Sequence, residues 1–470
     1  MNRYHKLIGN SVIFAIGNFG SKMMQFIMVP IYSYTLSSSQ FGKTDFLTTF
    51  VTLIAPIVCL DMYDAVFRFS LDSNEDKEKI FSTGLIFTLL ASIISIILGF
   101  LLEPLIHGYP VKLTGLLLVF TMLYSLMSNY VRAVGHVKKF AVAGIINTFV
   151  MGILNIFLLV VLKQGISGYL ISMIIALFVA ILYISISTNI YSHFSFNKWN
   201  TIKFKEMIRY SVPLIPNTLA WWLNSTSDRF FIIMFLGSGA NGIYAMSSKI
   251  PNMLSTLTNI FFQSWQMSAV EEYKSRDSRQ FITNVFEYFL SFIFFVSFAL
   301  ITVIRPLFDI ILSDQYYVGW KLTPLILLTV IYSSLSGFLG TMYTASKRTG
   351  PIFITTLVGA IVNVILSVFL IPKVGTYGAA ISNIISFLIV TLIRLKDIYQ
   401  QDKIDPNFLK IMLLHLVYAI FSVLLFVITN DLVFLTVGIL VLIGQIIFDK
   451  KIRNIVTNLF SKIKLNKRGK

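Results

Sequence analysis

The chain has 470 residues, of which 56% are hydrophobic and only 13% charged, with a mean hydropathy of +0.79. So few charges cannot cover a water-soluble domain of this size, which excludes a soluble globular protein. The formal net charge of +17 would suggest nucleic acid in a soluble chain; in a membrane chain it follows from basic residues gathering in cytoplasmic loops, and no nucleic-acid partner is expected.

Apolar runs of about 20 residues, enough to cross a bilayer core, fill most of the length. In chain order they predict fourteen helical spans: 8–34, 41–66, 80–102, 113–131, 140–162, 168–189, 208–235, 242–267, 280–304, 322–345, 349–371, 376–393, 410–429 and 432–448. A barrel is excluded, because its strands alternate apolar and polar residues over about ten positions. Met1 to Lys6 is short and polar, and the run after it is too long for a signal-peptide core, so no cleavable signal is expected. The single cysteine, Cys59, allows no intrachain disulfide. The five histidines lack metal-ligand spacing, and no phosphate loop, dinucleotide fingerprint or nucleophile elbow is present. No metal or cofactor is therefore expected, and the chain reads as a non-enzyme.

The runs come in two matching sets. Ser11-Val12 opens the first and Ser211-Val212 the second; Gly42 follows one and Gly242 the other. A Gly-x-x-Gly-x-x-Ile-Ser pattern occurs at Gly165, Gly168, Ile171 and Ser172 and returns at Gly375, Gly378, Ile381 and Ser382. Six spans per copy is an even number, so the copies are expected to be parallel repeats related by an axis along the membrane normal. The predicted organisation is a six-helix bundle over 1–189, a cytoplasmic linker over 190–207, a second six-helix bundle over 208–398, two added helices over 399–449 and a basic tail over 450–470. In the tail Ile452, Ile455, Val456, Leu459, Phe460 and Ile463 recur at helical spacing among lysines, which reads either as an amphipathic helix on an anionic leaflet or as a frayed basic end. With both termini cytoplasmic, 29 of the 38 Lys and Arg face inward and six outward, the bias expected of a correct span count.

Ionisable groups inside spans mark functional sites by default. Lys22, Arg229 and Lys249 lie within the first, seventh and eighth spans, each in a polar stripe. The stripes are Ser11, Asn18, Lys22 and Gln25; Thr218, Trp222, Ser225 and Arg229, with Asn217, Trp221, Asn224 and Asp228 beside them; and Lys249, Asn252, Thr256, Asn259 and Gln263. Three bases against one acid, Asp228, predict a wet cleft that attracts an anion, with Arg able to fork onto phosphate oxygens. The alternative is that Asp228 and a nearby base pair to hold helices together; adjacent residues on a helix do not face each other, so Asp228 and Arg229 are not expected to neutralise one another. Asp61, Asp64 and Arg68 share a face at the inner end of the second span. They read either as a local Asp64–Arg68 ion pair or as a cytoplasmic gate, or a carboxylate that couples transport to a proton or sodium gradient. Pro30, Pro56, Pro213, Pro216 and Pro251 mark places where these helices bend.

Three segments resemble a known group. Leu60-Asp61-Met62-Tyr63-Asp64-Ala65-Val66-Phe67-Arg68-Phe69 is similar to a second-helix signature ending in Ala-x-x-Arg-Phe. Ser227-Asp228-Arg229-Phe230, with Asn241-Gly242-Ile243-Tyr244 and Ser248-Lys249-Ile250, resembles an Asp-Arg and Gly-x-Tyr-(x)n-Lys-Ile signature. Asn363, then Ile371-Pro372-Lys373-Val374-Gly375-Thr376-Tyr377-Gly378-Ala379-Ala380, resembles an Asn…Ile-Pro-x-x-Gly-x-x-Gly-Ala-Ala segment; Ser367 departs where an asparagine often repeats. The family is the polysaccharide flippases of the multidrug/oligosaccharidyl-lipid/polysaccharide exporter superfamily. The resemblance implies an all-α, MATE-like V of two six-helix halves in a bacterial plasma membrane. It implies a monomer that flips polyprenyl-diphosphate oligosaccharides to the outer leaflet, beside a polysaccharide polymerase and other pathway proteins. The diphosphate would meet Lys22, Arg229 and Lys249, and the sugars Asn18, Asn224 and Asn252, with Trp221, Trp222, Trp265 and Tyr244 as stacking candidates. The rivals are an ion-coupled multidrug or metabolite exporter of the same superfamily, which needs central acids to hold a cation, and a membrane polymerase or ligase, which needs a larger outer loop than residues 305–321 provide.

Overall fold

The computed structural model describes residues 23–72, 75–273 and 275–457, the side chains of Gln263, Met267 and Thr349 excepted. The described residues are helical throughout, with no strand among them. The protein is an all-α, polytopic membrane protein. Its chain divides into two compact units, Met1–Gly242 and Ile243–Lys470.

The first unit contains α1 (23–35), α2 (Ser38–Val58), α3 (Met62–Ser70), α4 (Lys77–Leu102), α5 (Val111–Ala133), α6 (Val137–Asn155), α7 (Gly165–Thr188), α8 (Thr201–Ser211), α9 (Ile215–Leu236) and the first half of α10 (Ser238–Ser247). The second contains the rest of α10, then α11 (Pro251–Glu272), α12 (Ser278–Ile311), α13 (Asp314–Tyr317), α14 (Thr323–Ala345), α15 (Thr349–Val374), α16 (Thr376–Gln400), α17 (Phe408–Val427), α18 (Asp431–Phe448) and α19 (450–457). Among the described residues, 11 helices are long and apolar enough to cross a membrane. The first expected span is described only from residue 23. The helices α9 and α11, 22 residues each, fall short on apolarity, because they carry the polar stripes.

Three expected spans are broken rather than continuous. The run over 41–66 is α2 and α3, separated where Leu60 and Asp61 both take positive φ, at 49° and 52°; Pro56 in the last turn of α2 already lacks its donor. The run over 208–235 is α8 and α9, joined by a short tight turn, Val212–Leu214, that holds Pro213. The run over 242–267 is α10 and α11, broken at 248–250 just ahead of Pro251. Prolines sit at all three breaks, and two of the breaks adjoin the polar stripes, as the discontinuous helices of transporters do.

The Gly-x-x-Gly-x-x-Ile-Ser copies fold alike, each within its own unit. Gly165 and Gly375 have φ of +56° and +67°, opening α7 and α16. Three residues on, Gly168 and Gly378 let the new helix pack against the one before it, where a Cβ would press on the Leu158 and Leu370 backbones. Ser172 and Ser382 then return their hydroxyls to the Gly168 and Gly378 carbonyls at 2.8 and 2.7 Å.

The added pair α17–α18 is fastened to α12 along its length. Arg305, counted by sequence as an outer-loop cation, is 6% exposed and lies inside α12. Its guanidinium donates to the Ile428 carbonyl at 2.6 Å and to Leu425 O, pairs with Asp431 at 3.2 Å, and stacks on Trp320. Gln445 donates to Ser291 O at 3.1 Å, and Lys451 pairs with Glu287 at 3.4 Å. Ile452 is buried against the protein instead of facing outward; Leu459, Phe460 and Ile463 of the expected tail helix lie outside the described residues.

Candidate functional site at the crossing of α2, α9 and α10

The capping box of Ser37 and Gln40 starts α2. Four residues on, Gly42 packs against α10. A Cβ on Gly42 would run into the Ser238 carbonyl, and one on Gly242 into the Ser38 carbonyl. The two glycines matched by the repeat in sequence thus touch each other in space. The Ser39 and Ser238 hydroxyls lie 2.7 Å apart across the same contact.

One turn beyond Gly42, Asp45 points to α9. Its Oδ2 receives Arg229 Nε at 2.7 Å. Arg229 Nη1 lies 3.5 Å from Asp228 Oδ1, which also accepts the Arg229 backbone N–H at 2.8 Å. Asn241 of α10 donates to the Gly42 carbonyl at 2.8 Å and reaches Asp45 Oδ2 at 3.5 Å. The Arg229 and Asp45 side chains are 15% and 12% exposed, and that of Asp228 is 2% exposed. This is a sheltered cation between two carboxylates, tying three helices. Removing one partner of such a buried pair leaves an uncompensated charge, at about 3–5 kcal/mol.

Two expectations change here. Arg229 is not an uncompensated cation awaiting an anion: Asp45, an acid left out of the sequence count, holds it. Asp228 and Arg229 do come within ion-pair distance, because the long guanidinium folds back along its own helix. The signal for Asp45 was in the sequence, since it lies three residues after the repeat glycine Gly42; without the crossing nothing linked it to a residue 184 positions away.

The other expected site residues fall in both units or outside the described residues. Asn224 is 2% exposed on α9. Lys249, half-buried in the α10–α11 turn, and Asn252, exposed on α11, belong to the second unit. Lys22 and Asn18 lie outside the described residues. At the far end of α2, Asp61 is 2% exposed and shares a hydrogen bond with the Tyr63 hydroxyl. Asp64 and Arg68 are exposed, and no ion pair joins them among the described residues. Asp64 interacts instead with Arg132 of α5, whose guanidinium lies 4.0 Å over the Phe67 ring. Of the aromatic candidates, Trp265 is buried in a ring stack with Phe338 at 4.6 Å, and Tyr244 is buried and accepts from Asn383 at 3.3 Å. Neither ring face is open to a sugar; Trp221 is 47% exposed.

A family model described as polysaccharide biosynthesis protein matches residues 7–266, which include every residue of the crossing. The chain belongs to the polysaccharide biosynthesis protein family. Among curated relatives of this family member, Lsg locus putative protein 1 of Haemophilus influenzae is 23% identical over 261 residues, 53% of this chain and 62% of the relative, so the match spans less than two thirds of that protein. Among solved structures, the lipid II flippase MurJ in an inward closed conformation superposes with a TM-score of 0.73 at 16% identity, covering 95% of this chain and 100% of that one. An inward-facing multidrug resistance MATE family transporter of the MOP superfamily superposes at 0.65 with 12% identity, covering 83% and 98%. The polysaccharide biosynthesis family member therefore has the fold shared by these transporters, as its motifs implied.

Proposed function

We propose that this chain is a flippase that carries polyprenyl-diphosphate-linked oligosaccharides from the cytoplasmic to the outer leaflet of a bacterial plasma membrane by alternating access. Both termini lie in the cytoplasm, and the product feeds surface polysaccharide. The family match and the transporter fold support this reading. The observation that carries it is the Arg229–Asp45 pair, 2.7 Å long. A guanidinium held within a span by a carboxylate from another helix is an exchangeable lock. Phosphate oxygens accept from guanidinium in the same forked geometry as a carboxylate. A diphosphate arriving at Arg229 displaces Asp45, which frees α2 from α9 and opens the crossing. Lys249 and Lys22 attract the headgroup, Asn18, Asn224 and Asn252 meet its sugars, and Asp61 is the candidate for ion coupling. Polymerase and other pathway proteins take the product.

The test is export in cells together with binding by purified protein. Arg229→Ala is expected to abolish surface polysaccharide even when expression is raised until the amount of inserted protein matches the wild type; wild-type display would remove Arg229 from the mechanism. A lipid diphosphate oligosaccharide is expected to displace a bound reporter lipid, and a hydrophobic cation is not. The reverse ranking would favour a multidrug exporter.

A further inference from the structure

Residues 190–211 carry a surface that the transport reading leaves unused. They connect α7, which ends at Thr188, to α9, which begins at Ile215. Consecutive spans pin both ends of this short segment to one face of the bilayer, the face that collects most of the Lys and Arg. One side of the segment is built into the first unit. Ser82 Oγ donates to the His193 carbonyl at 3.3 Å and accepts the Ser195 N–H at 3.1 Å, and the Tyr130 hydroxyl lies 2.9 Å from His193 Nδ1. Lys198 pairs with Glu78, and Lys203 pairs with Glu75 at 2.9 Å and Glu206 at 2.6 Å. Those two carboxylates hold the Lys203 ammonium above its usual range. Phe204, Met207 and Ile208 of α8 join the apolar core of the unit.

The other side is bare and has a different chemistry. Tyr191, Phe196 and Ile202 are 63%, 70% and 72% exposed, and Trp199 is 36% exposed. Ile202, Lys205 and Arg209 recur at helical spacing on the exposed face of α8. Lys205 and Arg209 have no ion-pair partner among the described residues. Apolar and aromatic tips interleaved with uncompensated cations, on a helix tethered at a bilayer face, form the pattern of a segment lying in the headgroup layer. A cytosolic protein partner would have to displace that layer to reach the same face.

We propose that this face binds anionic phospholipid headgroups: Phe196, Trp199 and Ile202 enter the acyl boundary, and Lys205 and Arg209 select negative headgroups. The proposal is independent of what the protein transports, so it stands or falls apart from the flippase reading. The test places the full chain in nanodiscs of mixed phosphatidylglycerol and phosphatidylcholine, with bromine on the acyl chains of one lipid or the other. The Trp199 signal is the fluorescence difference between wild type and Trp199→Phe. Strong quenching of that signal by brominated phosphatidylglycerol is expected, with a preference over phosphatidylcholine of roughly fivefold per basic residue. Lys205→Gln with Arg209→Gln should keep the quenching and lose the preference. An unquenched Trp199 signal, or equal quenching of that signal by both lipids, overturns the proposal, and both outcomes are read without the Lys205→Gln, Arg209→Gln variant.

Discussion

At the scale of single residues, buried arginines take on work that their charge alone does not suggest. Arg394 lies one residue past the span that the sequence predicts over 376–393. In the structure it is 3% exposed inside α16. No carboxylate pairs with it among the described residues. Its donors go to Thr355 Oγ1 at 2.9 Å, to Ser336 O and Oγ at 2.9 and 3.1 Å, and to Thr356 Oγ1 at 3.0 Å. The planar fork is what satisfies acceptors from α14 and α15 together. Arg394→Lys keeps the charge and loses the fork, so it should lower the thermal midpoint in detergent nearly as much as Arg394→Ala; a Lys variant as stable as wild type would show that charge alone suffices. The Arg229–Asp45 pair behaves differently, because its partner is an acid. Asp45→Asn and Arg229→Gln should each destabilise by about 3–5 kcal/mol, and the double variant by less than their sum. Additive losses in a thermal double-mutant cycle would mean that the pair carries no coupling.

At the scale of elements, the informative contact is α2 against α10. The Ser39 and Ser238 hydroxyls, 2.7 Å apart, place two thiols within reach of an oxidant if both residues become cysteine. In a Cys59→Ser background, Ser39→Cys with Ser238→Cys should cross-link readily and export no polysaccharide until reduced. Cross-linked protein that still exports would mean the crossing never opens. The helices themselves were legible in the sequence, since a run of about 20 apolar residues has few alternatives; the span read as 410–429 is α17 at Phe408–Val427. The breaks were not legible. Summed hydropathy passes smoothly over Leu60 and Asp61, and their positive φ turns the chain so that α3 packs against α4, α5 and α8. The same sum hid α8, whose first turn starts at Thr201, within the stretch read as linker. The crossing was half visible: Gly42 and Gly242 were recognised as equivalent, but equivalence in a repeat does not predict contact.

At the scale of the whole molecule, orientation rests on charge. Among the described residues, Arg305 and Arg394 are the buried members of the count; setting them aside takes one cation from each side and leaves the bias intact. Two exposed positions test it. Gln315 lies between α12 and α14, on the side assigned to the outside, and Ser192 lies in the segment between α7 and α8, on the side assigned to the cytoplasm. In a Cys59→Ser background, Gln315→Cys should react with a membrane-impermeant maleimide in intact cells, and Ser192→Cys only after permeabilisation. The opposite labelling would invert the molecule, putting the Asp45–Arg229 lock at the cytoplasmic face and the basic face of α8 against the outer leaflet. On the proposed flippase function, the diphosphate would then meet the lock on entry rather than on release, so the labelling pattern decides which half of the proposed transport cycle this ion pair would guard.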